Sequence, residues 1–300
     1  MEFWASVAFL DTDQLVDVAR LCDQAGYAGV TVSDHIFFPA RLESKYPYSP
    51  DGSPIWSRST PWPDPWVLIG AMSSATQRLK FATSIYIAPA RHPVLVAKQV
   101  GTAAVLSHDR VLLGLAPGWM KEEFDVLGLD YANRGKRLDE LCEILRLLWK
   151  GGMQAYHGTY YDFDAIEISP VPGRPIPLIA GGHSDVALRR AARLDGWIGN
   201  AYPPDEAGAL LDKLAANRRE ASTDQRDDYQ IIIGLQAKPE ADLYRRFEDK
   251  GVTGMLCAPW MIGGGTPGGG TPGRGTPGGS LDDKRVAIER FAEHVVAKFS

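Results

Sequence analysis

The sequence predicts an α/β protein in which eight strands and eight helices alternate to form a closed (β/α)8 TIM barrel. Short apolar runs bounded by turn residues alternate with amphipathic runs of helical spacing along the 300 residues. Repeated strand–helix units imply parallel strands with right-handed crossovers, and eight such units close a barrel. Because barrels of about 250 residues commonly form one domain, we expect residues 1–300 to be a single domain.

The strands are predicted from short runs rich in apolar and β-branched residues. They cover residues 2–10, 28–33, 79–85, 110–115, 176–180, 195–201, 229–235 and 252–257. The first run, EFWASVAFL, is short and lacks a basic start, so it indicates a strand rather than a signal peptide.

The helices are predicted from apolar residues three and four positions apart, as in Leu15, Val18, Ala19 and Cys22. Pro65 suits the first turn of the second helix. The helices cover residues 12–25, 65–76, 93–106, 132–149, 184–194, 204–220, 240–249 and 281–299.

Three segments depart from the alternation. Residues 34–64 form a long loop rich in proline and aromatic residues after the second strand, and residues 153–169 suggest a small extra hairpin. Residues 263–280 read GGGTPGGGTPGRGTPGGS, a low-complexity insertion before the last helix that we expect to be disordered. Its position on the rim of the barrel leaves open both a lid and a loop without a role.

Composition excludes several classes of function. A net charge of −5 gives no bulk attraction for nucleic acid or an anionic membrane surface, and no apolar stretch is long enough to cross a bilayer. Cys22, Cys142 and Cys257 are odd in number and far apart, which argues against a disulfide frame or a zinc site. We therefore expect a cytoplasmic enzyme with no metal.

Function in a barrel of this type resides in the loops after the strands. Asp34 and His35 follow the second strand, where they could line a pocket or move a proton, or simply cap a loop and pack. Thr83, Ser84 and Ile85 end the third strand, and by spacing alone they could be an ordinary strand end.

The fourth and fifth strands end in small residues. Ala116 lies in the stretch GLAPGW, where small residues would let a ligand approach, and Trp119 could be an aromatic wall or a core side chain. Gly181, Gly182 and His183 lead into a helix, and exposed N–H groups at a helix start can bind a phosphate.

The loop after the second strand is crowded with aromatic residues. They could close over an organic substrate, or they could be the packing that keeps a long loop ordered. They are Tyr46, Tyr48, Trp56, Trp62 and, at the start of the next helix, Trp66.

The motifs after the second, third, fourth and fifth strands, taken together and in their order along the chain, resemble those of the luciferase-like monooxygenase superfamily. The resemblance is specifically to its coenzyme F420-dependent oxidoreductase subgroup. The likeness covers nearly the whole chain. The matching stretches are SDHIFFP, YPYSPDG, TPWPDPWVLIGAMSSATQRLKFATSIYIAPARHPVLVAKQ, LSHDRVLLGLAPGWMKEEFDVLG and IPLIAGG.

The resemblance implies F420, or alternatively FMN, bound over the third strand, with a non-proline cis peptide at Ser84–Ile85. It also implies a homodimer. The expected cofactor-binding residues are Asp34, His35, Thr83, Ser84, Ile85, Ala116, Gly181, Gly182 and His183. The expected catalytic residues are His35 and Trp119.

The expected reaction is hydride transfer between reduced F420 and an unsaturated C=C or C=N group of a small organic substrate. An FMN-dependent monooxygenase and a flavin-binding protein without turnover are the alternatives. The sugar-phosphate dehydrogenase branch of the family carries a glutamate where this sequence has Trp119, which speaks against glucose-6-phosphate oxidation. Glu122 and Glu123 lie nearby, but we do not transfer that role to them.

Overall fold

The computed structural model describes residues 1–261 and 279–299. The described residues form eleven strands. In chain order these are β1 (Glu2–Ser6), β2 (Gly29–Val32), β3 (Lys80–Thr83), β4 (Tyr86–Ile87), β5 (Val111–Ala116), β6 (Gln154–His157), β7 (Asp162–Ile166), β8 (Leu178–Gly181), β9 (Gly196–Tyr202), β10 (Gln230–Leu235) and β11 (Gly254–Cys257).

The strands close into the barrel that the sequence predicts. The order β3-β2-β1-β11-β10-β9-β8-β5 is closed by pairing of β3 with β5, and every pairing in this sheet is parallel. β4 continues β3 and pairs with β5, while β6 and β7 form the antiparallel hairpin expected at 153–169.

Nine α-helices lie within the described ranges. Eight correspond to predicted helices, and the short helix α4 was not predicted. They are α1 (Leu15–Gln24), α2 (Pro65–Ser74), α3 (Pro93–Leu106), α4 (Lys121–Val126), α5 (Arg134–Leu148), α6 (Asp185–Arg193), α7 (Pro204–Glu220), α8 (Ala241–Glu248) and α9 (Leu281–His294).

Some predicted boundaries are wrong for local reasons. The first strand ends at Ser6 instead of residue 10, because the chain turns at Phe9, which has a φ of 69°. The third strand divides into β3 and β4 at the peptide between Ser84 and Ile85. The last helix ends at His294, and a short 3-10 turn replaces the expected end.

The insertion predicted at 263–280 lies outside the described residues except for its last two positions. Those two belong to the start of α9. The Ser280 hydroxyl accepts a hydrogen bond from the Asp283 amide, and the Asp283 carboxylate accepts one from the Ser280 amide. This reciprocal capping box fixes the helix start at Leu281, the residue at which the sequence predicts it.

The barrel interior is filled, which leaves its mouth as the place for a ligand. The interior cluster consists of Trp4, Ala82, Leu112, Ile179, Ile198 and Ile232. Trp4 is fully buried, and a Cβ added at Gly29 would lie 2.3 Å from its ring, so this position requires glycine. All three cysteines are buried free thiols. Within the described ranges, no helix is both long and apolar enough to cross a membrane.

Candidate active site at the barrel mouth

The loop after β2 crosses the carboxyl ends of the strands. The Tyr48 ring reaches the His183 ring beyond β8, with 4.8 Å between ring centroids. The Tyr46 and Trp56 rings contact Trp119 beyond β5, at 5.4 and 6.2 Å. This loop therefore joins the ends of three strands that are far apart in the sequence.

Four rings of this loop form what we call the aromatic cover: Tyr46, Tyr48, Trp56 and Trp62. Trp56 contacts both Tyr46 and Trp62, at 5.0 and 5.3 Å between ring centroids. These contacts show the packing that keeps the long loop ordered. Trp66 is not part of the cover, because it begins α2 and its ring packs against Tyr86 at 5.5 Å.

Asp34 is buried at the end of β2. Its carboxylate accepts two hydrogen bonds from the Arg91 guanidinium, at 2.5 and 2.9 Å, and one from the Ile87 amide at 2.9 Å. Burial raises the pKa of Asp34, while Arg91 and the Ile87 amide oppose that rise. Asp34 therefore holds β4 in place by accepting a hydrogen bond from the Ile87 amide. Its contact with a cofactor stays a prediction.

The peptide between Ser84 and Ile85 is cis, as the resemblance implies. The Ser33 hydroxyl donates a hydrogen bond to the Ser84 carbonyl at 2.9 Å. The Thr83 hydroxyl donates one to the Gly114 carbonyl at 2.6 Å, so it joins β3 to β5 and is fully buried. The three predicted residues of this strand end thus lie together beside Asp34, although Thr83 faces β5.

His35 is the second predicted residue after β2, and its side chain is 8% exposed. Its Nδ1 lies 3.2 Å from Oε1 of Glu123, and its ring lies 5.0, 5.1 and 5.8 Å from those of Trp56, Trp62 and Trp119. The two predicted catalytic residues, His35 and Trp119, are therefore neighbours in one aromatic environment.

Helix α4 contributes two adjacent carboxylates that the sequence reasoning set aside. Oε1 of Glu123 accepts a hydrogen bond from the Ile36 amide at 2.8 Å. Oε1 of Glu122 accepts from the amides of Glu43 and Ser44, at 2.6 and 3.0 Å. The two side chains thus bind the loop at two points. One feature of the sequence could have pointed to Glu123: it lies four residues after Trp119 and directly before Phe124, which is buried.

The predicted phosphate site lies between β8 and α6. Gly182 has a φ of 99°, which favours glycine, and the Ser184 hydroxyl accepts a hydrogen bond from the Ala187 amide at 3.2 Å. Nδ1 of His183 is buried and has no hydrogen-bond partner among the described residues. Asp185 in the first turn, which would oppose a phosphate, is exposed and lies 3.3 Å from the Lys213 ammonium.

The two predicted parts of the site touch each other. A Cβ added at Gly181 would lie 2.3 Å from Cγ2 of Ile85 and 3.6 Å from Cβ of Ala116. Ile85, Ala116 and Gly181 therefore meet at the ends of three neighbouring strands. Close approach of the backbone at Gly181 is what brings the β3–β4 junction next to the start of α6.

Tyrosines beside His183 stay neutral at physiological pH. Burial raises the pKa of Tyr48 well above its ordinary value, and burial raises the pKa of Tyr202 to about 12. Both rings pack edge-on against the His183 ring, with 4.8 Å between ring centroids for Tyr48 and 6.2 Å for Tyr202. The surface around the orphaned nitrogen of His183 is therefore made of uncharged phenols, which would not repel an anion.

Comparison with known proteins identifies the family. A family model described as luciferase-like monooxygenase matches residues 6–241. The chain belongs to the luciferase-like monooxygenase family. An uncharacterized protein of Mycobacterium tuberculosis is 36% identical over 302 residues, covering 99% of this chain and 100% of that protein.

Two further similarities concern proteins with named activities. The F420-dependent glucose-6-phosphate dehydrogenase of Nakamurella multipartita is 30% identical over 82% of this chain and 69% of its own length. The coenzyme F420-dependent tetrahydromethanopterin reductase of Methanopyrus kandleri has a similar fold, with a TM-score of 0.72 at 15% identity over 100% of this chain and 99% of its own. Members of the family thus include deazaflavin-dependent enzymes.

Proposed function

We propose that this protein is an F420-dependent oxidoreductase that transfers a hydride to an unsaturated C=C or C=N group of a small organic substrate. The observation that carries the proposal is the convergence of His35, Ile85 and His183 at one barrel mouth, although they are far apart in the sequence. A deazaflavin would supply the hydride, and the protein would orient it and exclude water.

The residues at the mouth fit such a cofactor. The buried Nδ1 of His183 has no hydrogen-bond partner within residues 1–261 and 279–299 and adjoins the start of α6, which suits an anionic phosphate. Gly181 and Gly182 carry no side chain of their own, and the Ile85 side chain packs directly on Gly181. On the other side, Ser84 and Ile85 would support the flat ring system, with Ala116 beside them.

Roles can be assigned to the remaining predicted residues. His35 would exchange a proton with the substrate, and Trp119 would form the wall on the substrate side, next to the His35 ring. Asp34 and Thr83 would act by holding the β3–β4 region in place. Trp119 in place of a glutamate acid is the reason to favour an unsaturated substrate over a sugar phosphate.

Entry of the cofactor would require the aromatic cover to move. The Tyr48 ring packs edge-on against His183, which is the proposed phosphate contact. We therefore propose that residues 34–64 open to admit the cofactor and close over it afterwards. Such closure excludes water from the reacting groups.

The test is a titration of the purified protein with F420 and, separately, with FMN, followed by the absorbance and fluorescence of each cofactor. We expect saturable binding of F420, and oxidation of reduced F420 when an unsaturated substrate is added. His35→Ala should lose turnover, because its imidazole is the proposed proton-exchanging group. Absence of saturable binding of both cofactors would overturn the proposal.

An FMN-dependent monooxygenase is the second candidate, because the matching family model is described as a luciferase-like monooxygenase. It would consume oxygen with reduced FMN, whereas a deazaflavin does not activate oxygen usefully. An oxygen electrode with each reduced cofactor separates the two candidates. Oxygen uptake with FMN that depends on an organic substrate would favour the monooxygenase.

We also propose a cytoplasmic homodimer. Helices α2 and α3 carry apolar residues on their outer faces as well as their inner ones, and the outer Val67 and Leu95 are 75% and 61% exposed. An exposed apolar surface of this kind suits a second copy of the chain. Sedimentation of the wild type and of Val67→Asp would test it, since the charge should shift a dimer toward the monomer.

A further inference from the structure

Glu123 is a buried carboxylate that lies within hydrogen-bond distance of His35, the proposed proton-handling residue. We propose that Glu123 is the positioning residue that fixes the tautomer and orientation of His35, so that Nε2 of the imidazole is the atom that exchanges a proton with the substrate. The proton exchange with a substrate rests on the proposed function. The contact between Glu123 and His35 does not depend on it.

The contact is held through one carboxylate oxygen of Glu123, and Oε2 of the same side chain is buried with no hydrogen-bond partner among the described residues. Glu123 is fully buried, and its Oε1 receives both His35 Nδ1, at 3.2 Å, and the Ile36 amide, at 2.8 Å. The rings of Trp56 and Trp62 flank the imidazole at 5.0 and 5.1 Å. Rotation of the imidazole is therefore restricted by packing as well as by the hydrogen bond.

The chemistry of the two groups determines where the hydrogen lies. An ionised carboxylate accepts hydrogen bonds and cannot donate one, so Nδ1 must carry the hydrogen in this contact. In the neutral imidazole the other nitrogen, Nε2, then carries none. The neutral His35 ring is therefore the Nδ1–H tautomer. In the other neutral tautomer, Nε2 would carry the hydrogen and Nδ1 would accept a hydrogen bond.

This arrangement gives a balanced proton transfer. The cationic imidazole carries hydrogen on both nitrogens. When Nε2 releases its proton to the substrate, the neutral ring that remains still donates from Nδ1 to Glu123. The substrate double bond would gain that proton together with a hydride, and a bound reduced deazaflavin would supply the hydride and so lose two electrons. The carboxylate of Glu123 therefore keeps the imidazole ring in the same orientation in its cationic and its neutral state.

The neighbouring Glu122 provides a matched control. Its Oε1 accepts hydrogen bonds from the Glu43 and Ser44 amides, so it anchors the loop and has no contact with His35. A change that acts only through loop anchoring should therefore appear in both variants. A change that acts through the imidazole should appear only at Glu123.

The experiment is nitrogen-15 NMR of the imidazole rings in the protein without cofactor, at a pH where His35 is neutral. The chain has six histidines, and His35→Asn assigns the signal. We expect the Nδ1–H tautomer in the wild type, in Glu122→Leu and in Glu123→Gln, whose amide oxygen can still accept. Glu123→Leu should shift His35 toward the Nε2–H tautomer. Thermal unfolding of each variant checks that it folds.

Two results would overturn the inference. One is an Nε2–H tautomer in the wild-type protein, which needs no variant to be interpreted. The other is a tautomer in folded Glu123→Leu that is the same as in the wild type. If the tautomer responds as expected but neither F420 nor FMN binds, the positioning role stands and the proposed function fails, so the two failures are distinguishable.

Discussion

Beside β2 and β4, the barrel mouth is held by buried charged side chains, whereas beside β8 and α6 it is shaped by backbone and a helix start. On the first side, Asp34 is engaged by Arg91 and the Ile87 amide. On the second, Nδ1 of His183 is buried and has no partner in the part of the chain that the structure describes. The carboxylate of Asp34 is thus engaged by donors of this chain, whereas Nδ1 of His183 has none among the described residues. We infer that the first supports the ring and that the second binds the anion.

The largest effect should come from removing the counter-ion on the first side. Arg91→Ala leaves the Asp34 carboxylate buried without its partner, so we expect the free energy of unfolding in urea to fall by about 3–5 kcal/mol. Arg190→Ala is the control, because its partner Asp139 is 44% exposed and can be solvated. Equal losses in the two variants would contradict the role assigned to the Asp34–Arg91 pair.

The next largest effect should be a loss of cofactor affinity when the second side is altered. His183→Ala removes the spare nitrogen, and a hydrogen bond to a charged group contributes about 1.5–3 kcal/mol. We therefore expect the Kd of F420 and of FMN to rise roughly ten- to a hundredfold. The exposed His157, which pairs with Asp162 on the hairpin, provides the control variant His157→Ala. An unchanged Kd in His183→Ala would remove the phosphate role.

A smaller effect tests the contact between the two sides. In Gly181→Ala the new methyl group would overlap Cγ2 of Ile85. We expect a loss of about 1–3 kcal/mol in the free energy of unfolding, as for other overpacked sites. The loss should be smaller in an Ile85→Ala background, because Cγ2 is then absent. Gly208→Ala is the control, since a Cβ there meets nothing within 4 Å. Additive effects of Gly181→Ala and Ile85→Ala would argue against the contact.

The smallest effect concerns the aromatic cover. Tyr48→Ala removes the ring that packs on His183, and one aromatic pair contributes about 0.5–1.5 kcal/mol. We expect cofactor association to become faster, by up to about tenfold. Stopped-flow tryptophan fluorescence measures the rate. If Tyr48→Ala associates no faster than the wild type, opening of the cover does not limit entry.

The sequence was sufficient for the fold because the barrel depends on alternation. The apolar runs that predict β5 and β8 are buried strands in the structure, at nearly the expected boundaries. The failures lie where a single contact overrides the pattern. The turn at Phe9 shortens the first strand, and α4, with six residues, is too short to show a helical period.

The site was partly predictable for a related reason. Residues at strand ends must converge in a closed barrel, so His35, Ile85 and Gly181 could be placed at one mouth from their order alone. The Asp34–Arg91 pair and the Glu123–His35 contact could not, since each joins residues more than fifty positions apart with no shared pattern. The packing of Tyr48 on His183 likewise depends on the path of a loop.

The capping box of α9 offers a practical use. Because Ser280 and Asp283 satisfy each other's backbone amides, the N-terminal cap of this helix is formed entirely by residues 280–283. The stretch between Met261 and Gly279 can therefore be exchanged without depriving the helix of its start. A fluorescent reporter or an affinity tag spliced in between Met261 and Gly279 would leave the Ser280–Asp283 capping box unaltered.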